Sequence, residues 1–139
     1  MQRIATLTST FAWLLCALVS TSVPAHELGL ARPNLVLSET VTQMPRGERQ
    51  DVRVLTATFQ PGERTVFHTH RSPVTVYVLE GQFTLNLEGR TPVMVNAGQA
   101  YVEPPNVKMT GFNRSSSQPL KVVIFYVSDP QTPFLDPVN

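Results

Sequence analysis

The sequence predicts a single all-β domain, built as an antiparallel sandwich or barrel. About eight short segments are rich in β-branched or alternating apolar residues, and Gly or Pro residues separate them. Outside the first 25 residues, no window repeats apolar residues at helical spacing. The 12 prolines also disfavour helices, and 139 residues are too few for two well-formed cores.

The predicted strands follow one another from an N-terminal extension at 26–50 to an irregular, proline-containing tail at 129–139, with the folded domain at 51–128 between them. Pro61-Gly62, Gly81, Gly89 and Gly98 supply turn signals between segments. The predicted strands are a possible extra strand at 35–41, then 51–60, 65–70, 74–80, 82–88, 91–98, 99–105, 107–113 and 120–127.

The first 25 residues have the layout of a secretory signal peptide. A basic start containing Arg3 precedes an apolar run, and the small residues Val23 and Ala25 stand before a cleavage point after Ala25. An uncut membrane anchor is the alternative, but the run is short for a full span and contains Thr and Ser. We therefore expect a periplasmic or secreted protein that leaves the membrane after cleavage.

Cleavage would remove Cys16, the single cysteine, so the mature chain would have no thiol ligand and no disulfide. It would also remove Arg3, which leaves equal numbers of acidic and basic residues. A neutral chain gives no electrostatic reason to expect a nucleic-acid partner.

The segment "HTHRSPVTVYVLEG" at 68–81 reads as an incomplete metal site. His68 and His70 alternate on a predicted strand, so both imidazoles should point to the same side. Val74 stands four residues later, where a carboxylate could complete the set. A His-x-His pair can also be two half-exposed polar residues on a strand.

Two spaced motifs cover most of the predicted domain and resemble those of the cupin superfamily. The first, G-x5-H-x-H-x3-E-x6-G, falls on Gly62, His68, His70, Val74 and Gly81. The second, G-x5-P-x-G-x2-H-x3-N, falls on Gly98, Pro104, Asn106, Met109 and Asn113. The resemblance implies a cupin double-stranded β-helix, also called a jelly-roll barrel.

The resemblance also implies a divalent metal held by two histidines and a glutamate of the first motif and a histidine of the second. Only His68 and His70 carry over, because Val74 and Met109 replace the other two ligands. An iron centre of two histidines and one carboxylate therefore lacks its oxygen ligand at the expected position.

The remaining residues could form a metal site with softer ligands. Two imidazoles and a thioether suit Cu(I), so one hypothesis is that His68, His70 and Met109 bind copper at the barrel mouth. The alternative for Met109 is a core position, since a thioether packs like a hydrocarbon. The expected cofactor is a divalent metal or Cu(I).

Other candidates have weaker support. After cleavage, His26 would be the first residue and could chelate Cu(II), although a solvated terminal histidine is the commoner case. Glu80 and Glu103 could supply an oxygen ligand, but both are expected on the surface. Four aromatic residues could line a small-molecule pocket or simply fill the core: Phe67, Tyr77, Tyr101 and Phe112.

Three function classes are compatible with these features. The first is an exported cupin that binds a metal ion or small molecule through His68 and His70. The second is a metal-dependent enzyme of the cupin type, such as a dioxygenase or isomerase. The third is a structural module that has lost its site and acts through a dimer face. A homodimer could form by strand addition through 35–41.

Overall fold

The computed structural model describes Gly29 and residues 31–139. The predicted signal peptide and His26 lie outside the described residues. Within residues 31–139 there are nine strands and no helix, so none is available to span a membrane. The strands are β1 (Asp51–Phe59), β2 (His68–Thr69), β3 (Val74–Glu80), β4 (Gln82–Leu87), β5 (Val93–Asn96), β6 (Ala100–Glu103), β7 (Met109–Phe112), β8 (Leu120–Ser128) and β9 (Asp136–Pro137).

The strands form two antiparallel sheets, which confirms the all-β prediction. One sheet has the order β1-β8-β3-β6, and the other has the order β5-β4-β7-β2-β9. Alternate residues of each strand point between the sheets, as the two-residue period of a strand requires. The fully buried side chains between the sheets include Val74, Val78, Leu85, Met109, Leu120 and Tyr126.

The spacing of the two motifs reflects turns as well as site residues. Gly81 has φ +81°, and a Cβ there would lie 2.6 Å from the Pro119 carbonyl oxygen, so only glycine fits. Asn106 stands at a glycine position of the second motif and has φ 59°, a conformation that asparagine tolerates better than most residues. These positions fix the chain path between strands and need no role in binding.

The N-terminal extension does not form the possible strand at 35–41. The segment has no ladder partner among the described residues, and Leu35 is 79% exposed. Instead, Leu37 and Val41 lie against the outer face of the first sheet, near Thr75 and Phe125. A homodimer stays a prediction.

The C-terminal tail at 129–139 packs onto the fold and contains one short strand, β9 at Asp136–Pro137, with no other strand. Strand β9 pairs with β2 at the edge of the second sheet, where β2 has free backbone groups to satisfy. Arg71 donates two hydrogen bonds of 2.8 Å to the Asp136 carboxylate. The tail thereby packs along residues 68–71, the segment that contains both His68 and His70.

Candidate metal centre

The two predicted ligands His68 and His70 lie together inside the barrel. His68 on β2 and His70, which directly follows β2, both point between the sheets, where His68 is 4% and His70 is 1% exposed. The Nε2 atoms are 3.1 Å apart and the rings meet edge to face. The alternative of two half-exposed polar residues therefore does not apply.

Backbone carbonyls fix the hydrogen positions on both rings. His68 Nδ1 donates to the Val66 carbonyl at 2.7 Å, and His70 Nδ1 donates to the Phe134 carbonyl at 2.6 Å. A carbonyl oxygen can only accept, so Nδ1 carries the hydrogen in each ring. In a neutral imidazole, Nε2 is then left with a free lone pair. Two such lone pairs face each other here.

Glu103 adds a carboxylate oxygen to this pair. Its Oε2 lies 3.1 Å from His70 Nε2, and the residue is 5% exposed. The prediction that Glu103 lies on the surface is wrong, because β6 turns Glu103 inward and the pairing of β3 with β6 sets it directly opposite Val74. Because His70 Nε2 has a lone pair in the neutral ring, only a proton or a cation between the two atoms makes this contact with the buried carboxylate favourable.

The three donor atoms form an open chain with His70 Nε2 in the middle. In residues 31–139, no group of three or more His, Cys, Asp or Glu side chains already encloses a common point in metal-ligand geometry. Lone pairs that face one another require a proton or a cation between them. The arrangement can therefore hold either one, and a metal ion would displace the proton.

Burial lowers the pKa of His68 below its ordinary value of 6.5. The hydrogen bond to the Val66 carbonyl partly opposes this effect, and the nearby His70 adds to it. The neutral imidazole is the form that binds metals. The surroundings of His68 thus favour its ligand form at neutral pH.

Met109, the third predicted ligand, lies next to the histidines along the sheet. It is the direct register partner of His68 on β7 and is fully buried. It belongs to the apolar core cluster and does not line the cavity that His68 and His70 line. The structure thus brings Met109 beside the site in surroundings that also suit a core residue.

The cavity at the histidines is small and mostly apolar. Its volume is about 40 Å³, whereas sites for drug-sized organic molecules have about 300–1,000 Å³. The lining residues are Phe59, Thr65, His68, His70, Val76, Phe83, Glu103, Gly111, Val122, Ile124, Phe134 and Leu135. The space suits an ion with a few small ligands.

The remaining candidates lie away from this cavity. Glu80 is on the surface, as predicted, and forms an ion pair of 2.8 Å with Lys121. The four aromatic residues predicted as a pocket lining do not line the cavity: Phe67, Tyr77, Tyr101 and Phe112. Phe67 is 41% exposed, since it directly precedes His68 in extended chain and so points to the opposite side.

Sequence reasoning named Glu103 as a possible oxygen ligand but expected it on the surface, and it missed the contact of the Phe134 carbonyl with His70. Alternation along "AYVE" puts Tyr101 and Glu103 on the same face of β6. If that face points into the barrel, the sequence predicts that Glu103 points inward as well. Phe134 contributes a backbone carbonyl from the tail, and no side-chain pattern signals such a contact.

Comparisons with known proteins identify the fold. The chain matches the family described as Cupin domain over residues 55–126. A cupin-like protein from Thermotoga maritima has a TM-score of 0.54 and 21% identity over 63% of this chain and 65% of that one. The DMSP lyase DddQ from Ruegeria pomeroyi has a TM-score of 0.54 and 17% identity over 63% of this chain and 43% of that one.

A third structure is an RmlC-like cupin from Methanocaldococcus jannaschii with a double-stranded β-helix fold. Its TM-score is 0.50 and its identity is 25%, over 68% of this chain and 93% of that one. The matched region spans less than two thirds of the first two neighbours. No curated protein matches the chain significantly. The family match covers more than half of the sequence, and the two-sheet architecture agrees with it, so the chain belongs to the cupin family.

Proposed function

We propose that this cupin binds a metal ion inside its barrel through the Nε2 atoms of His68 and His70. The supporting observation is that both Nδ1 atoms donate to backbone carbonyls while the Nε2 atoms face each other at 3.1 Å. Metal-binding histidines commonly donate their other ring N–H in this way, which orients the ring and raises its basicity.

The size of the cavity favours an ion over an organic molecule as the bound species. A space of about 40 Å³ is enough for an ion and one or two waters. Aromatic rings of Phe59, Phe83 and Phe134 line much of the rest. They supply no further polar groups to orient a larger ligand.

A Cu(I) site is the second candidate, in which Met109 would join the two histidines. The observation that favours it is the register: Met109 lies directly across from His68, and opposed side chains of an antiparallel pair share one face. A thioether is a soft ligand and selects Cu(I) over harder divalent ions.

We also propose that the protein is exported and that the signal peptide ends at Ala25. The basic start, the apolar run and the small residues before Ala25 support this. Mass spectrometry of protein from the periplasm or the medium should give a chain that begins at His26. A full-length mass in the membrane fraction would contradict export with cleavage.

The metal proposal is tested on untagged protein purified from the compartment to which it is exported. We expect elemental analysis to find about one metal ion per chain in the wild type and little in the His68→Ala/His70→Ala variant. The metal-free wild type should also take up one equivalent of added Co(II), Zn(II) or Cu(I). Equal uptake by the double variant would contradict the proposal.

A further inference from the structure

The pairing of β3 with β6 brings a carboxylate to the side of the site where the first motif lacks one. Val74, at the glutamate position of the motif, is the direct register partner of Glu103. Opposed residues of an antiparallel pair have Cβ atoms about 4.5–5.5 Å apart on the same face. A side chain as long as that of glutamate can therefore reach the same space from either strand.

The observed spacing fits coordination of one ion. Ligand atoms about 2.0–2.2 Å from a metal lie about 2.8–3.6 Å from each other, from adjacent octahedral to tetrahedral geometry. His70 Nε2 is 3.1 Å from His68 Nε2 and 3.1 Å from Glu103 Oε2. Both short edges of the group thus have the length that shared coordination requires.

Burial and charge support the same assignment. A carboxylate that is 5% exposed is costly unless it is paired or bound to a metal. The Nε2 of His70 is its polar neighbour, and the Nδ1 hydrogen of that ring already goes to the Phe134 carbonyl. A cation at this point would satisfy the carboxylate and both imidazoles together.

We propose that Glu103 is the third protein ligand and replaces, from the opposite strand, the glutamate that Val74 displaces. This inference rests on the metal binding proposed above. Two imidazoles and one carboxylate favour a divalent first-row ion such as Fe(II), Mn(II), Co(II) or Zn(II) over Cu(I). Met109 is then a core residue beside the site, consistent with its place in the apolar cluster.

The test compares two conservative variants, Glu103→Gln and Met109→Leu, by titrating metal-free protein with Co(II) and with Cu(I). Loss of an outer contact to a ligand already costs about 10–100-fold in metal affinity. We therefore expect Glu103→Gln to weaken Co(II) binding at least about 100-fold and to change the Co(II) visible spectrum. Met109→Leu should leave both readouts close to those of the wild type.

An exchange variant tests the position of the carboxylate. In Val74→Glu/Glu103→Val the carboxylate returns to the motif position and the number of buried charges stays the same. We expect this variant to recover most of the Co(II) affinity that Glu103→Gln loses. Circular dichroism of each variant checks folding, and if the exchange variant does not fold, the Glu103→Gln and Met109→Leu pair still decides the question.

The outcomes separate this inference from the proposed function. Suppose that Glu103→Gln binds Co(II) as tightly as the wild type while His68→Ala/His70→Ala loses binding. That result would overturn the role of Glu103 as a ligand and leave the proposal of metal binding intact. Loss of Cu(I) binding in Met109→Leu alone would assign the third ligand to the thioether. Failure of the wild type to bind any of these ions would overturn the proposed function itself.

Discussion

Val74 and Glu103 are direct partners across β3 and β6, and both side chains are buried. The first motif has a valine where a ligand is expected, yet the interior still contains a buried carboxylate 3.1 Å from His70 Nε2. The chemistry of a site in a β barrel thus depends on which side chains share a face. A carboxylate on either of two paired strands can reach the same part of the barrel interior.

The Phe134 carbonyl should matter for metal binding through the orientation of His70. Deleting residues 130–139 removes the hydrogen bond to His70 Nδ1, so we expect metal affinity to fall about 10–100-fold. Phe134→Ala keeps the carbonyl and removes ring contacts with His70 and Tyr126. That variant should lose about 1–3 kcal/mol of stability, less than a fully buried Phe→Ala change, with little effect on affinity.

Calorimetric titration of both variants with Zn(II), together with urea unfolding, separates orientation from packing. Equal affinity in the truncated and full-length proteins would contradict an orienting role for this carbonyl.

The stability of the metal-free protein should depend on pH through His68. Its pKa is lowered in the folded state, so the unfolded chain takes up a proton more readily. Well above pH 6.5, His68 is neutral in both the folded and unfolded states, so it does not make the free energy of unfolding depend on pH. As the pH drops below 6.5, the free energy of unfolding should fall. His70 Nε2 lies 3.1 Å from His68 Nε2 and 3.1 Å from Glu103 Oε2.

Urea unfolding of metal-free wild type and His68→Gln at a series of pH values measures this dependence. The decrease between about pH 6.5 and pH 5, above the usual carboxylate range, should be smaller in the variant. Parallel curves for the two proteins would show that burial of His68 does not affect protonation.

Asn113, the last residue of the second motif, should be required for stability and dispensable for binding. Its Nδ2 donates to the carbonyls of Phe59 and Gln118 at 3.1 and 2.9 Å, and its Oδ1 accepts from the Ser115 amide at 3.1 Å. Asn113→Ala leaves these partners unsatisfied in a buried place, and we expect a loss of about 2–4 kcal/mol. Thermal unfolding measures the loss of stability, and a Zn(II) titration measures binding. A drop in Zn(II) affinity in the fully folded variant would contradict a purely structural role for Asn113.

The contribution of the core can be checked with two leucines at different depths. Leu85 is fully buried, so Leu85→Ala should cost about 2–5 kcal/mol through lost burial and a residual cavity. Leu79 is 53% exposed, and Leu79→Ala should cost less than about 1 kcal/mol. Similar unfolding midpoints for the two variants would show that the space between the sheets is not the stabilising core.

The sequence predicted the strands within 51–128 and the meeting of His68 and His70, because both follow from the two-residue period of a strand. It did not predict the place of Glu103 beside His70, since that depends on the register between β3 and β6, which lie 20 or more residues apart along the chain at this point. It also missed the tail, because the pairing of β9 with β2 depends on a free sheet edge rather than on a strongly patterned segment.

The central claim is that both histidines bind a metal ion through Nε2 while Nδ1 remains hydrogen-bonded to a carbonyl. The direct measurement is long-range ¹H–¹⁵N NMR of the histidine rings in the metal-free and Zn(II)-loaded protein, with His68→Gln used for assignment. We predict that Zn(II) shifts the Nε2 resonances of His68 and His70 and that Nδ1 stays protonated in both. Unchanged Nε2 resonances, or coordination through Nδ1, would contradict the claim.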